Sequence, residues 1–305
     1  MDRWDGKRLC RPLRLGDRLL AVAVRAAGPG LVEVDFSDPE PPPAALEAIS
    51  RMFVDQTAAL ARLADSDPAV RRLGALFPGL VPVRYLDPLG ALVAFVTAQQ
   101  VNLQFAVSVR RALLQRLGRR IAIGSDFALA PDAAALAGAG PDEFRALRLT
   151  AAKGRCLKAL GEAVADRTLD FEDLARLPDV EVVSRLVQVP GIGRWTALQY
   201  LGRVLGRPIL VAEDLGVRKA VQGAYELVER PSPELVRELT SGYGQAALAA
   251  QQLLLHGLAT AMTAAAAGRP RRRSESVLRP GRDPLPERSA AVGPRHRAGH
   301  SAPPD

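Results

Sequence analysis

The chain has 305 residues, 48% of them hydrophobic and 24% charged, which is enough apolar material for one large folded body or two modest ones. Its two cysteines, Cys10 and Cys156, exclude a four-cysteine iron–sulfur cluster, match no metal-ligand spacing and suit a reducing compartment. The net charge of +8 permits a polyanionic partner without demanding one, because Gly268 to Asp305, with nine arginines against four acids, holds +5 of it. The opening MDRWDGKRLC is too charged for a signal peptide, and no run of eighteen apolar residues occurs outside alanine-rich ground, so a cytoplasmic chain without a membrane span is expected.

In chain order, LLAVAV (19–24) and LVEVDF (31–36) flank the turn sequence AAGPG and predict a hairpin, with one earlier strand from residue 8. PEPPP (39–43) ends this sheet, which is the only clear β signal. From Ala44 onward the pattern is helical almost throughout. Asp67-Pro68 and Asp87-Pro88 mark helix starts, with Asp as cap and Pro in the first turn. Further helices are predicted over 103–117, 131–137, 142–148, 151–166, 171–177 and 180–188, then 194–205, 214–228, 233–240 and 245–266. The fold class is therefore α+β, mainly α: a short N-terminal antiparallel β domain (1–45), a helical domain (46–267) and an Arg/Pro-rich tail (268–305) too poor in apolar residues to fold.

Within the helical part, VVSRLVQVPGIGRWTALQYLGRVLG reads as helix, tight turn, helix. Gly191 and Gly193 leave the turn's amides unshielded, and the next helix adds its own unpaired N–H groups and the positive end of its dipole. Such a site takes a phosphate, and on DNA it would position without reading sequence. The plain alternative is a connection whose glycines only supply tight geometry.

LVQVPGIGRWTA resembles the helix–hairpin–helix of the base-excision DNA glycosylase superfamily, here at 180–206. VAEDLGVRKAV (211–221) resembles the segment with that superfamily's catalytic aspartate, DPLGALVAFVTAQQVNLQFAVSVRRALLQRLG (87–118) the helix pair before the hairpin, and LRLTAAKGRCLKALGEAV (147–164) the next. The similarity spans roughly 8–266 and is nearest to the AlkA-like 3-methyladenine DNA glycosylase II branch, which also carries a small N-terminal sheet. That sheet is longer in the family, so a shortened domain, or a start lying upstream, is expected.

The resemblance implies roles residue by residue. The amides of Gly191, Gly193 and Thr196, with Arg194 beside them, should hold a phosphate near the lesion. A monovalent cation, Na+ or K+, bound by main-chain carbonyls falls on Val187, Val189 and Ile192. Gln100, with Gln99 beside it, matches the wedge that fills the stack when a nucleotide leaves; alone, the two read equally as polar turn residues. Asp214 matches the carboxylate that stabilises the cationic sugar as the glycosidic bond breaks. By position alone it reads as an ordinary N-cap, and Glu213 ranks behind it. Trp195 stands where related enzymes that also cut the strand carry a Schiff-base lysine, which implies water as nucleophile. Its indole suits stacking on a cationic alkylated purine, or it is a core tryptophan.

Gln199, Gln252 and Leu215 replace aromatic pocket residues, with Tyr200 and Tyr243 as nearby candidates to compensate. Glutamines there would select by the base edge more than by charge. The implied function is a monofunctional glycosylase acting on damaged, alkylated purines in duplex DNA, as a monomer, near the nucleoid, with no cofactor for chemistry. A non-catalytic protein that recognises distorted duplex is the alternative.

Overall fold

The computed structural model describes residues 2–28 and 30–267; the reading of 268–305 as a disordered tail falls outside them. The chain opens with an antiparallel meander, β1 (Arg3–Trp4), β2 (Arg8–Leu15), β3 (Arg18–Gly28) and β4 (Leu31–Phe36), in that spatial order. β3 is a continuous apolar run because both of its faces are covered. Leu20, Val22 and Val24 face a small core with Ala45, Ile49, Met52 and Leu86, whereas Ala21, Ala23 and Cys10 face the opposite way.

What covers that second face corrects the sequence reading. Residues 118–131 are not wholly connection and helix but a second hairpin, β5 (Gly118–Ile123) and β6 (Asp126–Pro131), joined by Gly124 and Ser125. Ile121, Ile123 and Ala128 close over Ala21 and Ala23. The small alanines on β3 let the hairpin lie close, so the N-terminal sheet is built into the helical body.

The helices follow as α1 (Pro43–Ser50), α2 (Thr57–Ser66), α3 (Pro68–Leu76), α4 (Pro88–Ala98), α5 (Leu103–Leu117), α6 (Ala133–Gly138), α7 (Pro141–Ala146), α8 (Ala151–Ala165), α9 (Phe171–Arg176), α10 (Asp179–Val187), α11 (Arg194–Arg203), α12 (Leu215–Ala224), α13 (Pro233–Leu239) and α14 (Ala247–Ala267), with a 3₁₀ turn at Ser241–Ala246. Their starts obey local chemistry: the side chains of Asp67, Asn102, Asp132, Thr150, Asp170, Asp214 and Ser232 each accept an amide of the turn they cap, whereas Asp87, expected as a cap, makes no cap bond and instead pairs with Arg14 at 2.7 Å.

Two apolar cores organise these helices. One joins α4, α5, α8, α10 and α11 through residues such as Leu92, Leu113, Leu157, Leu186 and Leu201. The other joins α3, α12 and α14 through Val70, Val217, Val221 and Leu253. α11 belongs to the first and α12 to the second. The segment 204–214 therefore carries the chain from one helical half to the other, and Asp214 stands where it arrives.

Candidate active site

α10 and α11 bury Val182, Leu186, Ala197 and Leu201 in the first core, and Ile192 plugs the turn between them. The turn closes by Ile192 N–H donating to the Val189 carbonyl at 3.0 Å, and α11 opens with Ala197 N–H on the Gly193 carbonyl at 3.1 Å. The two glycines have different reasons. Gly191 has φ +87°, and a Cβ there would lie 2.7 Å from Cys156 Cβ on α8, so the fold itself forbids a side chain. Gly193 has φ −95° and ψ 175°, open to any residue, and a Cβ there meets nothing within 4 Å. Nothing inside the protein asks for bareness at 193. With no side-chain cap on α11, the first amides of the helix lack a side-chain acceptor, a concentration of positive partial charge suited to an anion, although Thr196, whose amide was expected among them, is only 1% exposed. Arg194, largely exposed beside it, adds a full positive charge.

The three carbonyls assigned to a cation also fit that chemistry. Val187 ends α10, so its carbonyl lacks a helical partner, and the turn that follows carries those of Val189 and Ile192. These are neutral oxygens of the kind a hard monovalent ion takes, although only that of Val187 lies at the negative end of a helix dipole and that of Val189 already accepts the Ile192 amide. Among the described residues no cluster of three or more His, Cys, Asp or Glu side chains is placed to hold a metal.

Asp214 is the N-cap of α12, and its Oδ1 accepts the Val217 amide at 3.0 Å. Its Oδ2 is held from the other side: the Trp195 indole Nε1 donates at 2.8 Å and the Gln199 amide Nε2 at 3.2 Å. Trp195 and Gln199 are four residues apart on α11 and so share one face. Three donors thus fix one carboxylate between the hairpin helix and α12. Gly216 leaves it room, since a Cβ there would come within 2.9 Å of Oδ1. Glu213 turns away, paired with Arg237 and with Arg194 at 3.8 Å.

A cleft of about 500 Å³ lies near the C-terminal end of α11, and Asp214, Trp195 and Gln199 are not among the residues that line it. Arg203, one turn beyond Gln199, lines it with Gln252 and His256 of α14 and with Phe77, Leu80 and Val83 of the loop before α4. Gln252 is only 8% exposed, yet its Nε2 has no hydrogen-bond partner among the described residues. His256 Nδ1–H donates to the Gln252 carbonyl, 2.9 Å away, and the ring lies edge-on to Phe77. Leu215, half exposed, follows Asp214 directly. Trp195 is half-buried, edge-on to Phe95, whose ring is edge-on in turn to Tyr85.

Two expected pocket roles change. Tyr200 cannot line a base pocket, because it is fully buried and stacked on Phe171 in the core, where burial pushes its phenol well above the usual range. It projects about 100° around α11 from Gln199, and that rotation turns it inward. Tyr243 is buried as well, with its hydroxyl 2.7 Å from that of Tyr225. Neither supplies the ring that the glutamines replace. Gln199 is present at the site, with one of its two amide N–H donors on Asp214.

The Gln99–Gln100 turn ends α4. Gln99 Nε2 donates to the buried Thr196 hydroxyl at 3.2 Å, which ties the turn to α11, while Gln100 is exposed with a left-handed φ of +54°. Sequence reasoning missed Arg203, His256 and Gly216, which carry no motif and become significant only through the faces they share with Gln199 and Asp214.

Residues 93–245 match the family described as HhH-GPD superfamily base excision DNA repair protein. The chain is 24% identical over 180 residues to a DNA-3-methyladenine glycosylase of Bacillus subtilis, covering 58% of this chain and 59% of the relative. It is 31% identical over 131 residues to DNA-3-methyladenine glycosylase 2 of Escherichia coli, covering 42% and 45%. The chain thus spans about half the length of these curated relatives. Among solved structures, the 3-methyladenine DNA-glycosylase of Archaeoglobus fulgidus superposes with a TM-score of 0.73 at 24% identity, over 83% of this chain and 88% of that one. The Schizosaccharomyces pombe 3-methyladenine DNA glycosylase, in complex with abasic DNA, gives 0.57 at 25% identity over 65% and 95%. With the match covering half of its length and both the hairpin and the capped aspartate inside it, the chain belongs to the HhH-GPD superfamily of base excision DNA repair proteins.

Proposed function

We propose that the protein is a monofunctional DNA glycosylase that hydrolyses the N-glycosidic bond of damaged, alkylated purines in duplex DNA. One observation carries the proposal: the helix that follows the glycine hairpin supplies two of the three donors that fix the Asp214 carboxylate, through Trp195 and Gln199. The hairpin amides hold a phosphate, the nucleotide turns out of the stack, and the base enters the cleft. As the base leaves, the sugar becomes cationic and Asp214 stabilises it, then orients or deprotonates the attacking water. The donors on Asp214 keep it in place while that charge develops.

Trp195 bears on the outcome. A lysine amine there would attack the sugar carbon and lead to strand cleavage; an indole has no such nucleophile, and its N–H is occupied by Asp214. The strand is left abasic and intact. The carbonyls of Val187, Val189 and Ile192 would hold a Na+ or K+, which supplies positive charge beneath the phosphate site and no step of the chemistry. One copy provides every group named, so the enzyme acts as a monomer on DNA, in the cytoplasm near the nucleoid.

The test is a panel of single-lesion duplexes, including 3-methyladenine, 7-methylguanine and hypoxanthine, scored for base loss with and without alkaline strand cleavage. Base release that needs alkali for cleavage, with no borohydride-trapped adduct, is expected. Binding to the distorted duplexes without release from any of them would return the protein to the class of non-catalytic DNA-binding modules.

A further inference from the structure

We propose that Lys153 is a positioning residue for the Gln99–Gln100 turn, holding its backbone rigid so that Gln100 can take the place of an unstacked base. Lys153 Nζ, on the first turn of α8, donates to the Gln99 carbonyl at 2.7 Å and to the Thr97 carbonyl at 3.1 Å. Both carbonyls belong to the last turn of α4 and its cap, where no helical partner exists and the helix dipole is negative. An ammonium bridging the two closes the end of α4.

Three features separate this from incidental contact. First, a lysine in the first turn of α8 opposes that helix's own dipole, so its place is not explained by α8. Second, lysine is scarce here: four of 41 basic residues, against arginine for all the others. Lys158, one turn further along α8, also donates to a carbonyl near the end of a neighbouring helix, that of Ala137 on α6. A compact, three-donor ammonium suits converging carbonyls better than a planar guanidinium fork. Third, Gln100 is a non-glycine residue in the left-handed region, a conformation that persists only where its surroundings over-determine it. Those surroundings are Lys153 on the main chain from α8 and Gln99 on the Thr196 hydroxyl from α11.

The inference rests on the reading of Gln100 as the side chain that enters the stack. Filling that gap pushes the turn back against the protein. If the turn yields, unstacking fails while the pocket and Asp214 stay intact. Loss of Lys153 should therefore matter in proportion to how firmly the target base is stacked and paired.

Lys153→Met keeps the length of the side chain and removes its donors; Lys153→Arg restores a charged donor. The readout is the fluorescence of 2-aminopurine placed beside the lesion, measured in the Asp214→Asn background, so that unstacking is seen without chemistry. It is compared between a fully paired duplex and one in which the lesion faces a gap. Lys153→Met should weaken unstacking in the paired duplex at least tenfold, change it less than threefold opposite the gap, and be partly rescued by Lys153→Arg. Equal loss on both substrates would make Lys153 a general structural support, and no loss on either would make the contact idle; both results overturn the proposal. A wild-type protein that unstacks the base and never releases it would defeat the glycosylase reading while leaving this one standing.

Discussion

Asp214→Asn separates charge from shape at the centre of the site. The carboxylate takes three donors on two oxygens: Val217 N–H on Oδ1, and the Trp195 indole and Gln199 amide on Oδ2. An asparagine has one acceptor oxygen, so whichever way its amide turns, at least one donor faces an N–H. Leaving a partly buried donor unmatched costs about 1–3 kcal/mol, which the fold absorbs. The catalytic effect is larger. A carboxylate about 4 Å from a developing unit positive charge contributes about 4 kcal/mol at an effective dielectric of 20, and each 1.36 kcal/mol is a factor of ten in rate. Single-turnover base release from a lesion duplex should therefore fall about a thousandfold. DNA affinity should stay level or rise, because a negative charge near the phosphates has gone. Release within tenfold of wild type, from a folded variant that still binds DNA, would refute the assignment of Asp214 as the charge-stabilising group.

Gly191 and Gly193 should respond oppositely to alanine. Gly191→Ala drives a Cβ against Cys156 and should lower the melting temperature, whereas Gly193→Ala should leave melting unchanged and weaken binding to undamaged DNA severalfold in a fluorescence-anisotropy titration. Trp195→Phe keeps an aromatic face but removes the donor 2.8 Å from Asp214; a hydrogen bond to a charged group contributes about 1.5–3 kcal/mol, so base release should slow at least tenfold with lesion affinity little changed. Burial pushes the Cys156 thiol up to about 11 from 9.0. The unfolded chain therefore loses this proton at a lower pH than the native one, and stability falls as pH rises from 9 to 11, by on the order of 3 kcal/mol in full. Urea unfolding at pH 8 and 10.5 should show a smaller decline in Cys156→Ala than in the wild type.

How much of this was visible in the sequence depended on where each signal was stored. The DP helix starts were legible because Pro in the first turn is a local signal, although only Asp67 and not Asp87 caps with its side chain, and the helix–hairpin–helix because two glycines and a proline sit within four residues. The β5–β6 hairpin was not read, although Gly124-Ser125 is a two-residue turn of the kind that joins strands. Its alternation is carried partly by alanines, Ala122, Ala128 and Ala130, and so looks like helix. Lys153, Arg203 and His256 were beyond reach for another reason: each acts on a group far away in the chain, and only the packing of α8, α11 and α14 reveals it.

The two glutamines that replace aromatic rings are no longer equivalent once placed. Gln199 gives one N–H donor to Asp214, so its presence serves the carboxylate, and an aromatic side chain at the same position would have left Oδ2 with the indole alone. Gln252 differs in that neither N–H of its amide has a partner among the described residues, nine-tenths buried at the cleft wall beside Arg203 and His256. An unmatched amide in such a place costs free energy until something with an acceptor arrives. Under the proposed function, Gln252 would bring two unmatched N–H donors to a base and Gln199 one. On that proposal the cleft would discriminate chiefly by what Gln252 can bond, while Gln199 and Trp195 hold the carboxylate in place.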